Sequence, residues 1–436
     1  MGGLALTLNT AEQTLLNTQI ELQTSSNNIS NANNTWYSRQ VAVQQDNQPY
    51  QTPGGWVGTG ASITAITQMR DQYLDGQVLS ATSANSQYTS LASQLQSIQS
   101  SVADSGSDGI SQALGSFFDS WDTLSQNPSG LSEQTGVYEA AQNLASAIQS
   151  SCTQLNQASS ALPGQINDTV SQANSLIDQI AQLNTAIAQT GGNTTGQANA
   201  LTDQRYEAMD NLSQLIPVSF STGSNGMVTV TTAESSGPTT IVSGETGTHI
   251  STASTITGGQ LGGLLQAQTD LNGYITQLNT FTSSLVSQVN ALQTANGGTG
   301  VFSATAGQEA STITASTTFL NGHTTANEGP IAVNIANLQG TQSTFSDGTT
   351  ATLQGYLSNI QQGIGNAVQE ANTNASFNQS LLTQLQNQQQ SYSGVSMDQE
   401  MVNVIQYQQV YQAAAKVVET VSGLMSTAIS MVPAAS

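Results

Sequence analysis

Charged side chains are scarce in this 436-residue sequence, and basic ones are scarcest. Charged residues make up 7% of the chain, against roughly 25% in ordinary soluble domains. Four side chains are basic and 26 are acidic, which gives a formal net charge of -22 at pH 7. Because binding to phosphate groups depends on clustered lysine and arginine, the composition argues against nucleic acid and membranes as partners. With so few bases, an ion pair at Arg70 is a further hypothesis.

Cysteine is nearly absent, and long apolar runs are missing. The single cysteine, Cys152, excludes an intrachain disulfide framework, and no Cys or His spacing is typical of a zinc site. Cys152 lies at helical spacing from Leu144, Ile148 and Leu155, which predicts a packed core residue. No run reaches the ~18 apolar residues of a membrane span. The N-terminal segment lacks the basic region of a cleavable secretory signal, so any export is expected to use another route.

Heptad repeats of apolar residues mark both ends of the chain. Near the N-terminus, four of them recur every seven positions: Leu8, Leu15, Leu22 and Ile29. Near the C-terminus, apolar or small residues follow a similar register: Met397, Met401, Val404, Tyr411, Ala415, Val418 and Met425. Such repeats are typical of helices that bury one stripe against another helix. We therefore predict paired terminal coiled-coil helices whose apolar residues form the assembly interface with copies of the chain and with neighbouring proteins.

Helical and β patterns alternate between these ends. Apolar residues at helical spacing over 88–102 and 166–187 predict long helices of an antiparallel bundle. Alternation after Pro217 predicts an inserted β domain. The chain is thus predicted to be α+β and mainly α, with discontinuous domains arranged as a rod. The predicted divisions are a terminal coiled-coil domain (1–34 with 396–436), a helical bundle with an extended connector (35–215 with 259–296 and 346–395), the β insert (216–258) and a small β or loop region (297–345).

Three features could suggest catalysis, and each has a simpler explanation. His249 and His323 lie in Thr- and Gly-rich regions without ligand spacing. The glycines within 258–263 lack the lysine of a phosphate loop and are predicted to permit tight packing at a domain junction. Asp398 and Glu400 are two residues apart and do not share a helix face, so we predict solvated charges or a helix start. We predict no catalytic, cofactor or metal site, and no enzyme.

Four segments resemble a known family: residues 15–40, 69–78, 258–281 and 396–425. The stretch LLNTQIELQTSSNNISNANNTWYSRQ, residues 15–40, resembles the start of flagellar axial proteins, where a helix runs into an Asn-rich turn. The YSRQ ending and the stretch SMDQEMVNVIQYQQVYQAAAKVVETVSGLM, residues 396–425, are similar to the hook-associated group of that family. Trp36 stands where a Pro-Gly pair is usual. The residues that match the family motif are Asn31, Asn33, Tyr37, Ser38, Arg39, Gln40, Tyr407 and Gln408.

The resemblance implies a structural subunit of the bacterial flagellum that joins the hook to the filament. It implies assembly with copies of itself in a ring or helical tube, between the hook protein and the next junction protein, the third hook-associated protein. It further implies export through the type III apparatus, an extracellular location on the flagellum, and an export chaperone on the C-terminal helix. Another axial subunit of the hook or filament, or a surface adhesin, remains an alternative.

Overall fold

The fold is that of a computed structural model, which describes residues 2–52, 54–102, 109–190, 196–223, 225–251, 253–295, 298–317 and 328–430. His323 lies outside these residues. The chain divides into two compact units. The first comprises Met1–Ala84, Ser171–Thr257 and Asn378–Ser436, and the second comprises Asn85–Val170 and Gly258–Phe377. The two units do not correspond one to one with the four domains predicted from the sequence, so those domain boundaries stay a prediction.

Helices form most of the structure, with 71% of the described residues helical, so the α part dominates. In the described ranges the α-helices are α1 (Gly2–Ser30), α2 (Gln72–Val102), α3 (Ile110–Gln126), α4 (Leu131–Gln189), α5 (Gly196–Leu215), α6 (Gly259–Thr294), α7 (Glu309–Thr312), α8 (Glu328–Asn337), α9 (Leu353–Ser393) and α10 (Met397–Ser430). Short 3-10 turns occupy Ala253–Thr255 and Leu338–Gly340.

The strands are short and pair antiparallel. They are β1 (Gln40–Asp46), β2 (Tyr50–Thr52), β3 (Gly55–Val57), β4 (Ala61–Gln68), β5 (Val218–Thr222), β6 (Val228–Glu234), β7 (Gly237–Ser243), β8 (Thr246–Gly247), β9 (Phe302–Ser303), β10 (Thr314–Ala315), β11 (Ser343–Thr344) and β12 (Thr350–Ala351). The strands β5 to β8 form one sheet in sequence order, and β1 pairs with β4, β2 with β3, β9 with β10 and β11 with β12. The predicted α+β, mainly α class is confirmed.

In the first unit, the four-stranded sheet packs against the C-terminal part of α4. Alternate residues of the sheet, among them Val228 and Val230, are buried, as are Ile177 and Ile180 on the helix. The Asn184 side chain donates to the carbonyl oxygens of Val228 at 2.8 Å and Gly244 at 2.7 Å. The side-chain amide thus provides a hydrogen-bond donor for two backbone carbonyl oxygens at the ends of the strands. The segment after Pro217, where β structure was predicted, thus contains a sheet that packs on α4 through apolar side chains and through hydrogen bonds of Asn184, and Asn174 on the same helix bonds the backbone of Ile250.

The second unit has an aromatic and aliphatic core. Phe117 contacts Phe118, Trp121 and Phe302 with ring centroids 5.3 to 6.2 Å apart. Cys152 is buried, as its helical spacing predicted. A Cβ atom added at Gly263 of α6 would lie closer to the carbonyl oxygen of Gln87 on α2 than van der Waals contact allows, so this glycine permits the predicted close packing. The region 297–345, predicted to be β or loop, also contains the helix α8, which packs on α3.

Candidate assembly surface

The N-terminal heptad lies in a pair formed by the two terminal helices. Helix α1 packs along α10 within the first unit. The large heptad residues are partly buried: Leu8, Leu15, Leu22 and Ile29. Between them, three residues after each of the first three, lie the small residues Ala11, Thr18 and Ser25, which are buried. Small buried residues allow two helix backbones to approach closely, and the flanking leucines then cover the contact. The predicted pairing of the terminal helices is therefore present within a single chain.

A second face of α1 packs on the β1–β4 hairpin. The Asn17 side chain donates to the carbonyl oxygen of Ala61 at 2.6 Å and accepts from the amide of Ile63 at 3.3 Å. Since the amide matches one donor and one acceptor of strand β4, it fixes the strand against the helix. Leu16 lies off both faces and is exposed.

The predicted C-terminal interface residues divide into two groups on α10. The fully buried row recurs every seven residues and includes Glu400, Ala414 and Val421, with Tyr407 partly buried. Three predicted residues flank this row and are partly buried: Val404, Val418 and Met425. The other four are exposed: Met397, Met401, Tyr411 and Ala415. Met401 and Ala415 each follow a buried residue, Glu400 and Ala414, so their side chains point away from the buried row.

An exposed apolar row adjoins the buried row of α10. Val410, Val417 and Leu424 lie seven residues apart and are 40%, 41% and 52% exposed. We call these three residues the outer row. Because the outer row borders a helix face that is already apolar, α10 has a wider apolar stripe than α1 covers. A helix face of this width can pack against more than one neighbouring helix.

Charge is low at both ends of the chain. Residues 1–70 contain three acids and two arginines, and residues 371–436 contain three acids and one lysine, so together they contribute -3 of the formal -22. Lys416 and Glu419 form an exposed pair at 2.7 Å on α10. Copies of a strongly acidic chain repel each other over distances up to the screening length of about 8 Å. The terminal helices are where this repulsion is weakest.

The Asn-rich turn after α1 is closed by side-chain hydrogen bonds. Asn28 donates to the carbonyl oxygen of Gln40 at 2.9 Å, and its Oδ1 accepts from the Gln40 amide at 2.9 Å and from the Tyr37 hydroxyl at 2.8 Å. Asn31 donates back to the Asn27 carbonyl oxygen, and Asn33 is exposed. The motif residues Tyr37 and Gln40 therefore converge on Asn28, whereas Gln408 on α10 is exposed.

Arg39 joins this turn to the start of α10. Its Nε donates to Oε1 of Glu400 at 2.7 Å, and its backbone amide donates to the carbonyl oxygen of Ser393 at 2.8 Å. The Glu400 side chain is 1% exposed and that of Arg39 is 29% exposed. Asp398 and Glu400 both lie in the first turn of α10, which is the helix start given as one of the two predictions. Asp398 is exposed, whereas Glu400 is buried rather than solvated. Its charge is buried because Arg39, distant in sequence, supplies the compensating guanidinium.

Arg70 lies at the centre of a second polar cluster. Its Nε donates to the Ser38 hydroxyl at 2.6 Å, and its guanidinium lies 4.0 Å from the Tyr206 ring centroid. Asp75 and Asp203 are 3.6 Å and 3.9 Å from its terminal nitrogens, which confirms the ion pair expected there. Burial raises the pKa of Asp203 to about 7, although Arg70 opposes this. The cluster connects the turn to α2 and α5.

Other candidate chemistry is sparse. His249 lies with its Nε2 2.9 Å from Asp178 Oδ1, and both side chains are about half exposed. Within the described ranges, no group of three or more His, Cys, Asp or Glu side chains is arranged to hold a metal ion. Within the same ranges, no helix has the length and apolar content needed to cross a membrane.

Comparisons with known families agree with this geometry. The family model described as "Flagellar hook-associated protein FlgK helical domain" matches residues 95–255, and "Flagellar basal body rod FlgEFG protein C-terminal" matches residues 386–431. Flagellar hook-associated protein 1 of Bacillus subtilis (strain 168) is 25% identical over 97% of each chain. The protein of the same name from Escherichia coli (strain K12) is 28% identical over 40% of this chain and 33% of its own length.

A solved structure shares the fold. The flagellar hook junction protein FlgK from Burkholderia pseudomallei superposes with a TM-score of 0.57 at 17% identity, covering 73% of this chain and 100% of that one. The family models match the helical part of the chain and its C-terminal helix, so the class of protein that the chain resembles is the axial proteins of the bacterial flagellum. Within that class the chain is similar to flagellar hook-associated protein 1, so the resemblance inferred from the sequence is confirmed.

Proposed function

We propose that the chain is a structural, non-enzymatic subunit of the bacterial flagellum that joins the hook to the filament. The observation that carries this proposal is the terminal helix pair, in which α1 covers one part of the apolar stripe on α10 and leaves the outer row exposed. The names of the relatives and of the structural neighbour support the junction role.

The terminal helices would form the contact between copies. Full burial of a Val or Leu side chain contributes roughly 1.5–3 kcal/mol. Since each outer-row residue is about half exposed, covering Val410, Val417 and Leu424 would add on the order of 3 kcal/mol per subunit. The exposed members of the predicted interface, Met397 and Tyr411 among them, would contact the same neighbours. In a ring or helical tube, α1 and α10 would line the inside.

Partners and export route follow from the same surface. The hook protein would lie on one side of the assembled subunits, and the next junction protein, the third hook-associated protein, on the other. Before assembly, an exposed apolar row invites premature association. An export chaperone that covers the C-terminal helix would prevent this association until the chain leaves through the type III apparatus and reaches the extracellular flagellum.

Immunogold electron microscopy tests the location. Antibodies raised against the purified chain would be applied to intact flagella of the host. A single labelled band between hook and filament is the expected result. Label along the whole filament or the whole hook would instead support another axial subunit, and label scattered over the cell surface would support an adhesin.

A further inference from the structure

A cavity of about 200 Å³ in the first unit is lined by two of the four basic residues of the chain. Arg70, at the end of β4, and Arg205, on α5, both contribute to its wall. Thr222 of β5 and Asp75 of α2 also line it. In a chain with so many acids, two guanidinium groups at one cavity need an explanation, because like charges repel at short distance.

Arg205 is a buried cation without a carboxylate partner among the described residues. It is 2% exposed. Its Nη1 donates to Asn184 Oδ1 and to the Gly226 carbonyl oxygen, each at 2.8 Å, and its Nε is buried without a hydrogen-bond partner. Burial lowers the pKa of Arg205 to about 10, and the charge of Arg70 adds to this effect. A buried charge in such surroundings is costly unless an opposite charge is nearby.

Arg70 has unused donors as well. Its one side-chain hydrogen bond in the described part of the chain runs from Nε to Ser38. Its terminal nitrogens are 3.6 Å from Asp75 and 3.9 Å from Asp203, which is longer than a charge-assisted hydrogen bond of about 2.7–2.9 Å. Asp75 is shared with Gln389, whose Nε2 donates to it at 2.6 Å. Neither carboxylate therefore accepts a short hydrogen bond from the terminal N–H groups of Arg70.

We propose that this cavity binds one small tetrahedral oxyanion of the sulfate or phosphate class, held between Arg70 and Arg205. Guanidinium groups bind such ions through paired N–H donors. A volume of about 200 Å³ accommodates a tetrahedral oxyanion together with a few waters of roughly 30 Å³ each. The negative charge would separate two cations that otherwise repel, and Asp75 is the opposing charge that limits affinity.

Equilibrium dialysis of the full chain against radiolabelled inorganic sulfate tests the site, at a pH of about 6 and at constant ionic strength in chloride. Saturable binding of one sulfate per chain is expected. The variant Arg205→Gln, checked for folding by circular dichroism, should bind about tenfold more weakly or worse. Lys416→Gln, which removes an exposed cation on α10, is the matched control and should bind as the natural chain does.

A second variant keeps the test decisive if Arg205→Gln does not fold. Thr222→Glu places a carboxylate at the cavity wall while leaving both arginines in place, and it should abolish sulfate binding. Uptake no greater than the chloride background would overturn the proposal. So would binding that persists in folded Arg205→Gln or in Thr222→Glu, or binding that Lys416→Gln weakens as much as Arg205→Gln does.

Discussion

Removal of Arg39 is expected to loosen α10 from the rest of the first unit. The substitution Arg39→Met keeps most of the side-chain volume and both backbone hydrogen bonds, through which Arg39 accepts from Met69 and donates to Ser393. It leaves the carboxylate of Glu400, 1% exposed, without the guanidinium 2.7 Å away. Breaking a fully buried pair by removing one partner costs about 3–5 kcal/mol. Because Arg39 is 29% exposed, water can replace part of its contact, and we expect about 2–3 kcal/mol.

Hydrogen exchange measured by mass spectrometry would localise the effect. Peptides from the first turns of α10 and from the turn after α1 should lose protection in Arg39→Met, while peptides from α3 in the second unit should not change. Urea unfolding followed by circular dichroism gives the accompanying change in free energy. Glu400→Gln keeps an acceptor for Arg39 and should cost less, about 1 kcal/mol.

The double variant Arg39→Met with Glu400→Leu provides the control for this reasoning. It removes the buried charge together with its partner, so it should recover most of the stability lost in Arg39→Met. If the free energy of unfolding of Arg39→Met is within about 0.5 kcal/mol of that of the natural chain, the ion pair does not stabilise the packing of α10. The same conclusion would follow if the double variant lost as much stability as Arg39→Met and Glu400→Leu lose when each is made alone and the two losses are added.

Three further predictions concern packing, assembly and pH. Gly263→Ala should lower the free energy of unfolding by about 1–3 kcal/mol in urea, because the new methyl group meets the Gln87 carbonyl oxygen. Leu424→Asp should leave the free chain within about 0.5 kcal/mol of its natural stability, since the side chain is half exposed, but should abolish incorporation into flagella, as judged by immunoblots of purified filaments with hooks. Burial raises the pKa of Asp203 from 3.8 to about 7, so the folded state holds a proton that the unfolded state releases. The stability gained from this proton is complete below about pH 4 and is lost as the pH rises through 7, by on the order of 2–4 kcal/mol.

Each of these predictions has a matched control. Gly273→Ala lies on the same helix as Gly263 with open space around it, and it should stabilise by up to about 1 kcal/mol; equal effects of the two changes would contradict the packing argument. Gln412→Asp adds the same charge to α10 at an exposed polar position, and loss of incorporation there too would mean that charge alone blocks assembly. Asp203→Asn should make the free energy of unfolding in urea nearly independent of pH between pH 5 and 8. If the free energy still changed with pH as in the natural chain, Asp203 would not be the group that causes the change.

Periodicity predicted the helices well because it reflects local geometry. On α1 the predicted heptad residues are partly buried beside a fully buried row of small residues, so the repeat marks the side of the helix that packs within the chain. On α10, Met401 and Ala415 lie outside the row that packs within the chain. Apolar residues occupy several sides of α10, so the apolar pattern alone does not distinguish the covered face from the outer row. The buried row also contains the charged residue Glu400, and a search for apolar residues at helical spacing does not predict that a charged side chain is buried.

The polar contacts were largely beyond prediction from the sequence. Arg39 and Glu400 come from opposite ends of the chain, and Arg70 meets Tyr206 and Asp203 from a distant helix. Their pairing depends on the tertiary fold, and no local spacing encodes it. One signal was available: three of the four bases are arginines, and in a chain that uses neutral amides at its surface a rare cation is expected to have a specific partner. The order of the strands in the sheet likewise follows from tertiary packing.

The junction role itself is tested most directly by deleting the gene for this chain in its host. Electron microscopy would record hooks and filaments on the cells, and immunoblots would record filament protein in the medium. If the chain joins hook and filament, the deleted cells should carry hooks without filaments and should shed filament protein into the medium. Expression of the natural chain should restore filaments, and expression of Leu424→Asp should not. Normal filaments, or cells without hooks, would contradict it.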